Sequence, residues 1–350
     1  MYLHALATAV PPTSLTQPQC LEILARSHAQ QRLSKRSLLL LESVLNGDSG
    51  IAQRHFAVPD IEHIFDHTPD QLNAAFRLAA PELAGRALTA ALARAGLRAD
   101  QLDALLICTC TGYLCPGVTS YVAEQLGLRS NAFLQDIVGL GCGAAVPALR
   151  ATQAVLAAQP DAIVACVAVE ICSAAFFLDD DPGVLISACL FSDGAAASIW
   201  RNTPAPSGPN VRCHGFNTLH LPEHRDLLRF ELRDGKLRNL LHKTVPELAA
   251  SAVTTLLAAE PAGAPPIDRI IAHAGGREVI KTLEAALPAY PLDATRAVLR
   301  DHGNMSSPSV LFALEEALRT ARPEPGRDWW LVSFGAGFSA HSCRLTATAP

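Results

Sequence analysis

Along most of this chain, short apolar runs rich in Val, Ile and Ala alternate with longer stretches in which Ala and Leu recur every three or four positions. The first pattern is that of strands buried on both faces and the second that of amphipathic helices, so the chain reads as α/β with largely buried sheets. Met1 to Pro12 is a short apolar segment that meets Pro11-Pro12, as a first strand followed by a turn does. A helix is expected from Pro81, with Pro in its first turn, Leu83, Leu88 and Leu92 on one side, and Gly96 as its stop. The most apolar stretch, Ala162 to Leu178, is broken by Glu170 and built from pieces of strand length, so it reads as buried strand and not as a bilayer span.

The pattern also repeats. Leu102-Asp103-Ala104-Leu105-Leu106-Ile107 resembles Ile267-Asp268-Arg269-Ile270-Ile271-Ala272, each after a long helical stretch, with Asp268 lying 165 residues beyond Asp103. Asp136, ahead of the Gly-rich turn Gly139 to Gly143, pairs at the same offset with Asp301, ahead of His302-Gly303-Asn304. Asp161 before Ile163-Val164-Ala165 pairs with Asp328 before Trp330-Leu331-Val332 at an offset of 167. Three correspondences in order predict two copies of one α/β unit, residues 1–205 and 206–350, with the seam in the Pro/Gly/Asn-rich segment Asn202 to Asn210.

Composition narrows the functions available. With 350 residues and 49% hydrophobic content the chain can fill one large core or two fused ones, which excludes a disordered protein. A formal charge of -5, with 28 basic and 33 acidic residues spread along the chain, gives no basic stripe for nucleic acid. The start lacks the positive region of a signal peptide, so a cytoplasmic location is expected. Ten cysteines set in apolar runs such as Ile107-Cys108-Thr109-Cys110 read as small buried side chains, and without CxxC pairs no metal site is expected.

One cysteine stands apart. Cys142 sits in Gly139-Leu140-Gly141-Cys142-Gly143, followed by Val146, Leu149 and Leu156 at helical spacing. Pro147 is tolerable only in a first turn, which puts Cys142 at or near a helix start, where free N–H groups and the helix dipole favour a thiolate. His273 follows the strand pattern Ile270-Ile271-Ala272 and precedes Gly275-Gly276, so it projects from a strand end, where α/β sheets commonly place ligands. Asn304, in Gly303-Asn304-Met305-Ser306-Ser307, precedes another helix pattern. Singly these would be a buried thiol, a structural histidine and a turn asparagine. Together they supply a nucleophile, a cation or hydrogen-bond donor, and a neutral donor.

The order Cys142, His273-Ala274-Gly275-Gly276, Gly303-Asn304-Met305-Ser306-Ser307 and Phe334-Gly335-Ala336-Gly337-Phe338 resembles that of the chalcone and stilbene synthases and their bacterial type III polyketide synthase relatives, over nearly the whole chain. Leu190-Phe191-Ser192-Asp193-Gly194-Ala195-Ala196-Ala197 is similar to the family segment whose Phe gates the cavity, making Phe191 a gatekeeper, or else a core Phe beside a tight turn. The resemblance implies a thiolase-like, duplicated, five-layered αβαβα fold, usually homodimeric. It implies a starter acyl group taken from a coenzyme A thioester by Cys142, with malonyl-CoA decarboxylated against His273 and Asn304. The carbanion then attacks the acyl thioester, and the chain cyclises to a resorcinol or pyrone. Only coenzyme A thioesters are implied, as substrates, with no cofactor.

Departures from the family pattern sharpen the expectations. The C-terminal Gly-rich loop, with Gly335 and Gly337 expected at the substrate, begins at Ser333 and carries Ala336 where plant members have Pro. The second gatekeeper Phe of plant enzymes falls on Asn239, and a plant glycine falls on Phe230, which either narrows the cavity or faces the core between Leu228 and Leu232. The family's coenzyme A contacts fall on Leu41, Val44 and Asp48, leaving Arg32, Lys35 and Arg36 as substitutes or as a solvated helix face. Cavity positions read Cys110, Thr111, Cys115, Cys172 and Ala175. A β-ketoacyl carrier-protein synthase III would carry His-Gln-Ala-Asn and Gly-Asn-Thr instead, and a non-catalytic thiolase-fold partner would have no use for all three polar residues.

Overall fold

The computed structural model describes residues 1–205 and 210–347. Its strands are β1 (Tyr2–Ala9), β2 (Thr13–Thr16), β3 (Gln53–Phe56), β4 (Ala104–Cys108), β5 (Phe133–Ile137), β6 (Val164–Glu170), β7 (Gly194–Arg201), β8 (Val211–His220), β9 (Leu228–Arg233), β10 (Lys236–Leu241), β11 (Ile267–Ala272), β12 (Asp328–Gly335) and β13 (Ser339–Ala347). The helices are α1 (Gln17–Arg26), α2 (Lys35–Asn46), α3 (Pro69–Ala95), α4 (Val118–Leu126), α5 (Ala145–Ala158), α6 (Pro182–Leu190), α7 (Val245–Ala258), α8 (Arg277–Ala286), α9 (Asp293–His302) and α10 (Ser309–Thr320).

Nine strands join in the order β11-β12-β13-β8-β1-β7-β6-β4-β5, which reads as a palindrome about the β8/β1 junction. On each side an antiparallel pair is followed by a second antiparallel neighbour and then a parallel one: β1/β7, β7/β6 and β6/β4 answer β8/β13, β13/β12 and β12/β11. Helix α3 covers β1, β7 and β6, while α7 covers β8 and β13. Between the half-sheets lie α5, touching β4, β6, β12 and β13, and α10, touching β1, β7, β11 and β12. The result is the expected duplicated five-layer stack.

Period-2 alternation explains why the strands read as continuous apolar runs. In β4, Ala104, Leu106 and Cys108 face the core shared with α5 and α10, while Leu105 and Ile107 face the core under α3. In β6, Val164, Cys166 and Ala168 take the first side, and Ala165, Val167 and Val169 the second. A strand buried on both faces has no polar face to show.

Two expectations change. The helix does not begin at Pro81: α3 runs 27 residues from Pro69, started by a reciprocal cap in which Thr68 and Gln71 bond each other's backbone N–H. Pro81 sits inside it, and its lost hydrogen bond is outweighed by the fully buried Leu83, Ala84 and Leu88 around it. Asp136 and Asp301 are not equivalent either. Asp136 lies in edge strand β5, which has no counterpart beside β11, whereas Asp301 lies in the last turn of α9. The expected seam includes residues 206–209, which lie outside the described residues.

Strands β9 and β10 form a separate hairpin that pairs with nothing else among the described residues. Asp234 and Gly235 turn it with φ of 53° and 74°, the left-handed pair a two-residue type I′ turn requires. Arg238 clamps the hairpin to the start of α6, bonding Asp179 at 2.7 Å and Glu231 at 2.9 Å. Helix α6 approaches so closely that a methyl on Gly183 would meet the Leu241 carbonyl oxygen at 2.1 Å. Gly183→Ala should therefore lower stability by about 1–3 kcal/mol through overpacking, read as a lower urea midpoint at unchanged slope.

Candidate active site

Each element ends where its chemistry is wanted. Strand β5 runs out at Ile137, and a single 3₁₀ turn, Gly141–Gly143, presents Cys142 just ahead of α5. Gly139 and Gly141 take φ of 87° and 55°, which fold the chain back into the turn. The opposite half closes over it. A methyl on Gly335 would lie 2.4 Å from the Gly143 nitrogen and 2.9 Å from the Cys142 nitrogen, and the Ser333 hydroxyl donates to the Gly143 carbonyl at 2.8 Å. Ser333, where plant members have Gly, thus ties β12 to the nucleophile turn.

His273 continues the β11/β12 ladder, its N–H donating to the Val332 carbonyl at 3.0 Å, and its ring meets the Phe334 ring edge-on at 5.4 Å between centroids. Its Nδ1 is buried without a partner among the described residues, leaving Nε2 for a ligand. Asn304 follows Gly303, whose φ of 71° turns the chain out of α9. The Ser306 N–H donates to Asn304 Oδ1 at 2.8 Å, which fixes the amide orientation, and Asn304 Nδ2 donates one proton to the Gly275 carbonyl at 3.1 Å. Its second N–H proton remains for a ligand.

Cys142, His273, Asn304, Phe191 and Phe334 line one cavity of about 630 Å³. Phe191 also borders an inner pocket of only about 20 Å³, lined by Thr111, Cys172, Ala175, Phe230, Asn239 and Ser306 among others. Thus Phe191, Thr111, Cys172, Ala175, Phe230 and Asn239 each border a cavity, including Phe191 and Phe230, which the sequence left between cavity and core. Four residues do not. Cys110 lies beneath the nucleophile, its thiol 3.2 Å from Glu170 Oε1 and 3.4 Å from Ser306 Oγ. Cys115 is exposed in the loop after β4 and lines neither cavity. Gly335 serves close backbone packing, and Gly337 takes a φ of 134° in the turn before β13; neither lines these cavities.

The residue that sequence reading passed over is Glu170, the last of β6 and fully buried. Its carboxyl accepts from Thr109 Oγ1 at 3.1 Å, Thr111 Oγ1 at 2.8 Å, the Cys110 N–H at 2.9 Å and Ser307 Oγ at 2.6 Å. Ser306, held in the left-handed region at φ 59°, reaches Cys142 Sγ at 3.3 Å and Glu170 Oε1 at 3.4 Å. A lone acid inside an otherwise apolar strand was the available signal, since an acid so buried requires partners.

Burial sets the resting protonation of the site. It pushes the Cys142 thiol up to about 12; the Ser306 hydrogen bond offsets part of this and the Glu170 charge adds to it. The expected helix-start thiolate is therefore corrected to a neutral thiol. Burial likewise holds His273 down at about 3, so the ring is neutral and serves as a base or a single donor, not a cation. Among the described residues no three His, Cys, Asp or Glu side chains are arranged to hold a metal ion.

A neutral buried His273 makes stability pH-dependent. Below its ordinary value of 6.5 the unfolded chain takes up a proton that the folded chain refuses until about pH 3. Its contribution therefore weakens as pH falls through that window, by about 1.4 kcal/mol per pH unit. His341 acts in the same sense and Asp193, raised to about 6, in the opposite one. Comparison with His273→Gln isolates the effect: as pH drops below 6.5, urea unfolding should show wild type losing stability relative to the variant.

Residues 5–210 match the family model described as FAE1/Type III polyketide synthase-like protein, and residues 257–347 match that of the 3-oxoacyl-(acyl-carrier-protein) synthase III C terminal. The 3,5-dihydroxyphenylacetyl-CoA synthase of Streptomyces toyocaensis is 30% identical over 94% of this chain and 86% of that protein. The 1,3,6,8-tetrahydroxynaphthalene synthase of Streptomyces coelicolor is 28% identical over 95% of this chain and 89% of that protein. The crystal structure of the Streptomyces coelicolor A3(2) enzyme covers 100% of both chains with a TM-score of 0.89 at 27% identity. A brown algal enzyme, PKS-I of Ectocarpus siliculosus, shares the fold at a TM-score of 0.87 and 23% identity, covering 99% of this chain and 98% of that one. With the first family model spanning more than half the chain, this protein belongs to the type III polyketide synthases, enzymes of the acyltransferase kind.

Proposed function

We propose that the enzyme loads an acyl group from a coenzyme A starter onto Cys142, decarboxylates malonyl-CoA against His273 and Asn304, and joins the two. The observation that supports this reading best is the convergence of thiol, imidazole and an oriented amide N–H on one cavity of about 630 Å³. Neutral His273 takes the Cys142 proton as the sulfur attacks the starter thioester and passes it to the departing coenzyme A thiolate, so that the acyl group moves to Sγ, coenzyme A leaves as its thiol and no bare thiolate waits in the site. When malonyl-CoA loses CO2, negative charge gathers on the thioester oxygen, where the free Asn304 N–H and His273, in the tautomer that carries its proton on Nε2, oppose it. The carbanion then attacks the Cys142 thioester, the Sγ bond to the acyl carbon breaks, and the extended chain closes to a resorcinol or pyrone.

At the cavity mouth Arg277 and Lys243 supply cations for the coenzyme A phosphates, while Lys35 and Arg36 stand at the far end of α2 from its cavity-lining Ser43 and Val44. Arg277 pairs with Asp48 at 3.2 Å, a contact the coenzyme would displace. We also read the protein as a homodimer joined at the β5 edge, where Tyr113, Phe133, Leu134 and Val138 are exposed. The match of residues 257–347 to the carrier-protein synthase III model supports a second reading, in which a malonyl carrier protein replaces malonyl-CoA; activity with malonyl-CoA alone removes it.

Radiolabelled acyl-CoA followed by a denaturing gel tests the loading step: wild type should carry covalent label and Cys142→Ala none, and equal labelling of the two would overturn the assignment. Asn304→Asp should slow malonyl-CoA decarboxylation by about 10²- to 10³-fold, because a carboxylate repels the charge the amide stabilises. Phe230 borders an inner pocket with room for about one water molecule, so early termination or a compact ring is expected. By mass spectrometry Phe230→Gly should yield longer polyketides; an unchanged product spectrum with a lowered melting midpoint would assign Phe230 to packing alone.

A further inference from the structure

Asn239 is only 7% exposed, yet its Oδ1 has no hydrogen-bond partner among the described residues. It stands on β10 opposite Phe230 of β9 and lines the inner pocket behind Phe191. No neighbouring hydroxyl is free to satisfy it. Thr111 Oγ1 donates to Glu170 at 2.8 Å, Ser187 Oγ to the Gly183 carbonyl at 2.8 Å, and Ser306 Oγ to Cys142 Sγ at 3.3 Å. Nor can the residue swing away, since the adjoining Arg238 is clamped by Asp179 and Glu231. An acceptor left unpaired at such depth is costly, and a bound donor removes the cost.

The ligand that the proposed reaction builds at this pocket is a chain of alternating carbonyls, released onto coenzyme A at each condensation and returned to Cys142 for the next. In its keto form such a chain carries only acceptors, which Oδ1 repels. In its enol form a proton moves from carbon to oxygen within the chain, and the new O–H is a donor. We infer that Asn239 Oδ1 accepts the enol hydroxyl of the growing chain, the hydroxyl alone entering the water-sized inner pocket past Phe191 while the rest of the chain lies in the larger cavity, which holds the enolised β-dicarbonyl in one register for ring closure. The inference rests on the polyketide reading above, and adds to it a polar selection rule at a wall whose hydroxyls, Thr111, Ser187 and Ser306, are already engaged elsewhere.

The test uses full-length protein with malonyl-CoA and hexanoyl-CoA, reading ring-closed product formed per malonyl-CoA decarboxylated. Asn239→Leu keeps the size and removes the acceptor; Asn239→Asp keeps an acceptor oxygen and removes the donor. The ratio should fall at least ~10-fold in Asn239→Leu, with linear or prematurely released lactones replacing the ring, and should return to within about twofold in Asn239→Asp, since one lost hydrogen bond of this kind corresponds to about a tenfold change. An unchanged ratio in Asn239→Leu, or an Asn239→Asp protein that behaves like the leucine variant, would overturn the inference. Wild type that forms no extended product from any starter would instead sink the functional reading. Should Asn239→Leu fold poorly, titration of the wild type decides: orcinol, with its phenolic donors, should bind at least ~10-fold more tightly than 3,5-dimethoxytoluene, and equal affinities refute the acceptor role.

Discussion

Two backbones meet at the centre of this molecule with no carbon atom to spare. Gly335 of the C-terminal repeat lies so close to the Gly143 and Cys142 nitrogens that even a methyl would collide, and the Ser333 hydroxyl closes the seam by bonding the Gly143 carbonyl. Cys142, the proposed nucleophile, comes from one half of the fold and His273 and Asn304 from the other, so the three share a cavity only where the halves interlock. The palindromic sheet and the shared α5/α10 layer bring the halves together; the glycine contact sets their spacing at the sulfur.

That close fit buries the groups around the sulfur, and the electrostatics follow. A thiol driven up to about 12 shares its cavity with a histidine driven down to about 3, which leaves both neutral at rest. Glu170 lies beneath them, its carboxyl held by Thr109, Thr111, Cys110 and Ser307, and it holds Ser306 within reach of the sulfur. A buried acid of this kind is tolerated only because its partners converge on it from separate strands and turns.

The three central residues were legible because glycines and a proline constrain their backbones: Gly141 and Pro147 mark the turn at Cys142, Gly275-Gly276 the strand end at His273, and Gly303 the turn at Asn304. Local pattern carried that far. It failed where long-range contact decides. Pro81 sits mid-helix because the sheet buries its neighbours, Asp301 matches Asp136 in spacing but not in structure, and Cys110 turned toward Glu170 instead of the cavity. The thiolate expectation failed for a related reason, since a helix start is a local feature and dryness is a global one. Glu170 was visible as an interruption in an apolar run, but nothing in its neighbourhood revealed that Thr109, Thr111 and Ser307 would gather around it.

The β9/β10 hairpin stands outside the nine-stranded sheet, anchored by Arg238 and by the close approach of α6, and it carries Phe230 and Asn239 on the pocket wall. Mutations there fall on a part whose ladder is its own. The twelve residues of its two strands can therefore be exchanged to reshape the pocket wall while the nine-stranded sheet and the turns at Cys142, His273 and Asn304 keep their places, so that cavity shape is free to evolve apart from the scaffold.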